Sequence, residues 1–201
     1  MRVGTVSVLR RFPLRSAAGE QPAEAVLDAG GLVGDRRWEV VDAGGQVLTG
    51  KQLPSLAGVR AEVGRDGLVA VVDGVRRGGA DLGAALSALA GRPVSVRDSA
   101  AGGGPHREGA AVHVISAGAA LAPDAPTGCD PGTRANVVLA LDAPGEPAVR
   151  PGAERGWEGA RLRVGEAELL LTRTPRRCLG IYADVVVPGR VRTGDDAVLL
   201  G

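Results

Sequence analysis

The stretch GLVGDRRWEVVDAGGQVLTGKQLPSL, Gly31–Leu56, contains two of the short strands that the sequence predicts. Residues Arg37–Val41 and Gln46–Thr49 are rich in alternating or β-branched apolar side chains, and such runs predict short strands. The sequence DAGGQV at Asp42–Val47 lies between them, and its two glycines predict a hairpin turn. This stretch therefore indicates an antiparallel strand pair within a β-rich fold.

The same kind of pattern recurs along most of the chain. Further short strands are predicted at Val3–Leu9, Val59–Val63, Leu68–Val72, Ala111–Ser116, Arg134–Asp142 and Ile181–Val187. Regular short strands with few helices are typical of an all-β or β-rich α+β barrel. We therefore expect a mainly β fold, β-rich α+β, with one or two short helices.

One helix is predicted in the segment DLGAALSALAGRP. Asp81 is placed to cap it, three leucines fall on one face, and Gly91 is placed to end it. The polar, glycine-rich segment Ser95–Gly109 then predicts a flexible loop. This loop is the natural boundary between two halves, so we expect an N-terminal β-barrel-like domain over residues 1–98 and a second domain over residues 99–201.

Charge and composition exclude several classes of protein. The chain has 24 basic and 23 acidic residues, a net charge of +1, which argues against nonspecific nucleic-acid binding. Aromatic residues make up only 2% of the chain, so stacking platforms for single-stranded nucleic acid are scarce. No apolar run approaches the length of a membrane-spanning helix, and the N-terminus lacks the pattern of a signal peptide. We therefore expect a cytoplasmic protein without nucleic-acid or membrane partners.

The sequence has two cysteines, Cys129 and Cys178, which are too few for a disulfide framework. A disulfide between them is one alternative, but a reducing compartment disfavours it. Zinc is disfavoured because only two histidines, His106 and His113, accompany the cysteines and none are closely spaced. A catalytic pair of Cys178 with a histidine has no local support. From the residues alone, a buried structural thiol is the favoured role of Cys178.

Five motifs, taken in order, resemble those of one family. They are LRRFPLRSAAGE (Leu9–Glu20), Gly31–Leu56, TRANVV (Thr133–Val138), GWEGARLRVGEAELLLTRTPRRC (Gly156–Cys178) and GIYADVVVPGRVRTGDDAVLL (Gly180–Leu200). Together they resemble the MOSC domain proteins with an N-terminal β-barrel, which include the amidoxime-reducing component and its bacterial relatives. The resemblance covers most of the chain apart from about Gly74–Pro105.

The resemblance implies a MOSC-type β-barrel with an N-terminal β-barrel subdomain that binds molybdenum cofactor (molybdopterin), a pterin dithiolene with a phosphate tail. Cys178 occupies the position of the family's metal ligand, which is also its catalytic residue. A soft thiolate suits a sulfur-rich molybdenum centre, and the neighbouring Arg176 and Arg177 favour a thiolate over a thiol.

The resemblance also implies which residues bind the phosphate and the pterin. The positions that match are Arg15, Ser16, Arg36, Arg134, Asn136 and Arg177. Guanidinium groups bind phosphate oxygens through two hydrogen bonds, and an asparagine amide offers the pterin both a donor and an acceptor. Asp35 and Trp38 are expected to shape the turn and the core instead.

The sequence departs from the family in three places. Arg15 replaces a lysine, and hydroxyl side chains before the mid-chain strand are missing, with Ser116 the nearest. The third departure is the largest: the family has a few tens of residues after its cysteine, whereas here only Leu179 and Gly180 precede the next strand. We expect either a more open pocket or a degenerate site.

Three functions follow from the resemblance. The first is an oxidoreductase that reduces small N-oxygenated compounds, such as hydroxylamines, N-hydroxylated bases and amidoximes. Its electrons would come from a separate electron-donor protein, because the chain has no flavin motif and no cysteine set for an iron–sulfur cluster. The second is a carrier of molybdenum cofactor, or of sulfur as a Cys178 persulfide, without turnover. The third is a MOSC scaffold that binds no cofactor.

Overall fold

The computed structural model describes residues 1–99, 110–121, 134–142, 152–176 and 178–201. In chain order its strands are β1 (Arg2–Leu9), β2 (Glu24–Asp28), β3 (Gly31–Leu32), β4 (Trp38–Asp42), β5 (Val47–Leu48), β6 (Arg60–Gly64), β7 (Gly67–Val72), β8 (Val75–Gly78), β9 (Val94–Asp98), β10 (Val112–Ser116), β11 (Val137–Leu141), β12 (Arg161–Val164), β13 (Ala167–Arg173), β14 (Ile181–Val187), β15 (Gly189–Arg192) and β16 (Asp196–Leu200). Two α-helices, α1 (Gly79–Ala90) and α2 (Ala117–Ala120), accompany them, with 3₁₀ turns at Pro54–Gly58 and Ala153–Trp157. No helix of these ranges is both long and apolar enough to span a membrane.

Seven of these strands form a closed barrel in the order β1-β11-β10-β14-β13-β12-β16, with β16 pairing back onto β1. All neighbouring pairs are antiparallel except β10 and β11, which run parallel. Closure leaves no barrel strand with an unpaired edge. The predicted mainly β fold with a barrel and one or two short helices is confirmed.

The barrel closes around a core of aliphatic side chains supplied by strand alternation. In β12, Leu162 and Val164 are fully buried, whereas Arg161 and Arg163 point outward and are exposed. Leu169 and Leu171 of β13 are buried on the same core. Burying apolar surface at about 25 cal/mol per Å² is the main favourable term for such a core, which here is built almost without aromatic residues.

The chain divides into two compact units. Unit 1 comprises Met1–Arg10, Gln21–Val33 and Pro105–Gly201, and unit 2 comprises Arg11–Glu20 and Gly34–Gly104. Unit 1 contains the barrel and the small sheet β15-β2-β3, and unit 2 contains the sheets β5-β4-β9 and β6-β7-β8 with α1. The boundary expected at residues 98 and 99 stays a prediction, and it lies near the last passage of the chain between the units.

Helix α1 supplies the core of unit 2 with Leu82 and Leu86, both fully buried, as its apolar spacing predicts. The prediction that Asp81 caps the helix is wrong, because the N-cap is Gly78 and Asp81 lies in the first turn. There the negative charge of Asp81 favours the positive end of the helix dipole. Gly91 adopts a left-handed conformation (φ 64°) and ends the helix, as predicted.

The prediction of a flexible loop over Ser95–Gly109 is wrong for its first four residues. Ser95–Asp98 belongs to β9, which pairs antiparallel with β4 along its whole length. The strand is hard to recognise because its side chains are mostly polar and it has a neighbour on one edge only. Cross-strand ion pairs replace the usual apolar signal, as Arg37 binds Asp98 and Glu39 binds Arg97. Residues 100–109 lie outside the described ranges.

Alanine substitutions at two glycines test two different effects on stability: the close packing of strands and the propensity of a residue to form a helix. A side chain on Gly4 of β1 would overlap the backbone carbonyl of Ala140 in β11, whereas a side chain on Gly83 of α1 meets nothing within 4 Å. We expect Gly4→Ala to lower the free energy of unfolding by about 2 kcal/mol or more, through overpacking and strand displacement. Gly83→Ala should raise it by about 0.5 to 1 kcal/mol. Urea denaturation of both variants checks this, and equal effects would contradict the close approach of β1 and β11.

Candidate functional site

Two loops of unit 2 carry three of the predicted binding residues, and main-chain hydrogen bonds hold these loops together. The amide of Phe12 donates to Oδ1 of Asp35 at 2.6 Å, and the amide of Arg36 donates back to the carbonyl of Phe12 at 2.8 Å. The amide of Arg15 donates to the carbonyl of Trp38 at 2.9 Å. Asp35 and Trp38 are both buried, in agreement with the prediction that they shape the turn and the core.

Ser16 and Arg36 both have left-handed backbone conformations, with φ of 68° and 52°. Such conformations are costly for residues with side chains, and they persist where the surroundings impose them, often at functional sites. The guanidinium of Arg36 pairs with Asp35 and lies 5.4 Å from the centre of the Phe12 ring. The two loops therefore fix Arg36 and Ser16 in place.

Arg15 belongs to a three-residue ion cluster. Its Nη1 donates to Oε1 of Glu39 at 3.0 Å, and Nη2 of Arg97 donates to Oε2 of the same carboxylate at 2.9 Å. The hydrogen bond from Arg97, and after it that from Arg15, holds the pKa of Glu39 below its ordinary value of 4.5 against the opposing effect of burial. Glu39 is therefore ionised at neutral pH and holds two arginines on one buried group.

Gln52 and Lys51 lie in the loop that follows β5 and differ in role. Gln52 accepts hydrogen bonds from the amide and the hydroxyl of Thr49, at 3.0 and 2.6 Å, and so stabilises its own turn. The backbone of Gly50 lies beside Ser16, since a side chain at Gly50 would come within 3.9 Å of the Ser16 hydroxyl. Lys51 follows Gly50 and is exposed.

In unit 1, Asn136 is fully buried immediately before β11. Its Oδ1 accepts a hydrogen bond from the amide of His113 and its Nδ2 donates to the carbonyl of Arg10, each at 3.2 Å. Its main chain also bonds both residues, with the amide donating to His113 and the carbonyl accepting from Arg10, each at 2.8 Å. Asn136 therefore joins the end of β1 to β10.

His113 extends this connection to the segment that carries Cys178. Its neighbours Val112 and Val114 face the barrel core, so His113 lies on the opposite face of β10. Its Nε2 lies 2.8 Å from the carbonyl oxygen of Leu179, and because a carbonyl only accepts, Nε2 carries the proton. The imidazole also packs against the edge of the Tyr182 ring, with 5.1 Å between ring centres.

Cys178 lies in the connection between β13 and β14, one residue before Leu179. It is disulfide-bonded in this structure, so the structure differs from the expectation of a free thiol. Cys129, the other cysteine of the sequence, lies outside the described residues. Cys178 as a metal ligand stays a prediction, and it requires the reduced form of the residue.

The predicted residues thus fall into two groups. Unit 2 brings together Arg15, Ser16 and Arg36 on hydrogen-bonded loops, and unit 1 connects Asn136 to the Cys178 segment through His113. Arg134 is exposed two residues before Asn136, and Ser116 is buried and caps α2 by accepting from the amide of Ala119. Arg177 lies outside the described residues. Among the residues that are described, no three His, Cys, Asp or Glu side chains cluster as a metal site.

Sequence reasoning missed three residues of these groups: His113, Glu39 and Arg97. Strand alternation alone left the face of His113 open, and the partner Leu179 lies 66 residues away. The Glu39–Arg97 pair depends on the register of β4 with β9, which the sequence analysis took for a loop. A comparison of the charges in Val94–Asp98 with those opposite them in β4, in antiparallel register, would have found this pair.

Comparison with known proteins agrees with this architecture. The described chain combines a closed seven-stranded barrel in unit 1 with two three-stranded sheets in unit 2. The profile of the MOSC N-terminal beta barrel domain matches residues 3–112, and the chain belongs to this family. Among solved structures, the comparison finds the YuaD protein of Bacillus subtilis, with a TM-score of 0.45 and 15% sequence identity over 98% of this chain and 94% of that one. No curated protein matches the chain significantly.

The loop clamp at Asp35 gives a test of stability. Because Asp35 is a buried carboxylate with a backbone and an arginine partner, we expect Asp35→Ala to lower the free energy of unfolding by about 3 kcal/mol. Asp98→Ala removes an exposed ion pair with Arg37 and should cost less than about 1 kcal/mol. Guanidinium denaturation measures both, and similar losses would show that the buried carboxylate does not hold the loops.

Glu39 gives a pH-dependent test. Its pKa is lowered in the folded state, so its contribution to stability is present above its ordinary value of 4.5 and is lost as the pH falls through the lowered pKa. We expect Glu39→Gln to be less stable than the native chain by about 1 kcal/mol at pH 7, with the difference shrinking below pH 4.5. Glu62→Gln, which breaks a more exposed pair with Arg76, serves as the control. A difference at Glu39 that does not change with pH would contradict this account.

Proposed function

We propose that the protein binds molybdenum cofactor and reduces small N-oxygenated compounds. The observation that supports this most strongly is the gathering of Arg15, Ser16 and Arg36 on two mutually hydrogen-bonded loops of unit 2. Two of these three residues have left-handed backbones that the loops impose. Membership of the MOSC N-terminal beta barrel family supports a protein related to this cofactor.

The residues of unit 2 fit the anionic end of such a cofactor. Arg15 and Ser16 are exposed beside each other, and a guanidinium with an adjacent hydroxyl suits phosphate oxygens. Arg36 is more buried and pairs with Asp35, so it offers the phosphate its remaining N–H donors on the same loops rather than a net charge. In the proposal, Arg15, Ser16 and Arg36 hold the phosphate of the cofactor.

Unit 1, taken by itself, offers a ligand for a metal when Cys178 is reduced. A thiolate at Cys178 is a soft ligand that suits a sulfur-rich molybdenum centre. Asn136 and His113 then act as positioning residues, because their side chains bond the backbone of Arg10 and of Leu179. A reducing location such as the cytoplasm would keep Cys178 available.

When bound, the cofactor supplies two-electron chemistry at nitrogen–oxygen bonds. In the overall reaction a hydroxylamine accepts two electrons and two protons, its nitrogen–oxygen bond breaks, and an amine and water leave. The electrons come from a separate electron-donor protein. The chain itself contributes the ligand Cys178, the anion-binding loops and the segment from Leu179 to Ile181 that follows the ligand.

One observation favours a second function, a carrier of molybdenum cofactor or of persulfide sulfur without turnover. Only Leu179 and Gly180 separate Cys178 from β14, and Gly180 is packed so closely that an added side chain would come within 2.6 Å of Nε2 of His113. This connection is too short and too tightly packed to hold a lid over a small substrate. A MOSC scaffold without any cofactor is the outcome if both functions fail.

The first experiment measures molybdenum by mass spectrometry and pterin by fluorescence after oxidative release. The protein is purified under reducing conditions from a host that makes the cofactor, as the native chain, Cys178→Ser and Cys129→Ser. We expect near-stoichiometric pterin and metal in the native chain and in Cys129→Ser, and loss of at least half of the metal in Cys178→Ser. A folded native chain with neither metal nor pterin would overturn the proposal.

A second experiment separates turnover from carriage. The loaded protein is mixed with a chemically reduced dye, and benzamidoxime is added while oxidation of the dye is followed. Oxidation that requires Cys178 supports the reductase. Full loading with no oxidation of the dye, for benzamidoxime and for hydroxylamines alike, supports the carrier instead.

A further inference from the structure

We propose that Arg97 completes a phosphate-binding clamp with Arg15, and that Glu39 orients the two guanidinium groups. The clamp is defined as Arg15, Glu39 and Arg97, all in unit 2. Its ligand is a phosphate dianion. The assignment of that dianion to the tail of the cofactor rests on the function proposed above, whereas the clamp itself rests on the geometry that follows.

The geometry comes from the pairing of β4 with β9. Glu39 lies directly opposite Arg97 in this antiparallel pair, and Trp38 and Val40 on either side of Glu39 face the core of unit 2. Arg15 reaches the same carboxylate from the neighbouring loop, which its own amide ties to Trp38. One carboxylate oxygen binds each arginine, at 3.0 Å for Arg15 and 2.9 Å for Arg97. The two guanidinium groups are therefore held beside one another.

The distribution of charge and exposure favours an anion as the ligand. The side chain of Glu39 is only 12% exposed, whereas those of Arg15 and Arg97 are 44% and 49% exposed. Two positive charges share one negative charge, which leaves a net charge of +1 on a group that opens to solvent. Among the described residues, Glu39 is the only carboxylate that forms an ion pair with either arginine.

Two exposed arginines of unit 2 provide a contrast to the clamp. Arg37 binds both oxygens of Asp98 and Arg76 binds Glu62, so each of these pairs is electrically neutral. In the clamp, by contrast, two arginines share one carboxylate. Each guanidinium carries five N–H donors in a planar fork, and a carboxylate oxygen uses only one of them here.

The neighbourhood of the clamp adds to the case. Ser16 follows Arg15 with its backbone held in a left-handed conformation, which turns the chain at the exposed end of the clamp. Arg97 is further anchored by Nη1, which lies 3.5 Å from the carbonyl oxygen of Gly45. Two pre-oriented guanidinium forks suit the several oxygens of a phosphate better than the single charge of chloride.

The test uses the full chain produced without cofactor and titrated with inorganic phosphate by calorimetry at constant ionic strength, with chloride as the reference anion. We expect the native chain to bind phosphate, and Arg97→Gln and Arg15→Gln each to weaken binding about tenfold or more. Arg97→Lys should recover part of the affinity, because it keeps the charge but lacks the fork. Arg76→Gln, which breaks a neutral pair, should bind like the native chain.

The outcomes separate the clamp from the proposed function. No phosphate binding by the native chain, or equal binding by folded Arg97→Gln, would overturn the clamp and leave Arg97 as a structural partner of Glu39. If Arg97→Gln does not fold, Arg97→Lys provides the test instead. Native-like phosphate affinity in that variant would contradict the role of the Arg97 guanidinium in the clamp. Phosphate binding that depends on Arg97, in a native chain that acquires no pterin from a cofactor-producing host, would support the clamp and reject the cofactor.

Discussion

The two-sided pairing of β1 is the constraint on which unit 1 depends. One edge of this strand bonds β11 and the other bonds β16, so β1 closes the barrel. The same strand leads directly into Arg10, whose amide and carbonyl both bond Asn136. Closure of the barrel therefore also positions Asn136 and, through it, His113 and the segment after Cys178. A polar residue of the predicted site is thus part of the framework that forms the barrel.

Much of the fold could be predicted because strand and turn signals are local. The hairpin of β4 and β5, the turn between β6 and β7, and helix α1 all follow from residues within a few positions of one another. Strands β2, β3, β8 and β9 are harder to predict, since they are short or polar. For such strands the neighbouring backbone, rather than the side chains, determines the structure.

The candidate site shows the same division. Arg15, Ser16 and Asn136 could be selected from motifs, because residue type and spacing are visible in the sequence. Their partners could not, since Glu39 and Arg97 meet only through strand register and His113 meets Leu179 only through barrel closure. A disulfide at Cys178 was an alternative that the sequence left open, and it was disfavoured because the sequence indicated a reducing compartment.

The alternation of the chain between its two units has a consequence for how the protein can be inherited. Residues 1–10 and 21–33 belong to unit 1, and residues 11–20 and 34–104 belong to unit 2. A gene segment that ended near residue 98 would remove β1 from the barrel and would carry an unpaired strand with unit 2. Neither unit can therefore be exchanged as one continuous segment of the gene. We expect recombination within this family to leave the chain intact or to change only its loops.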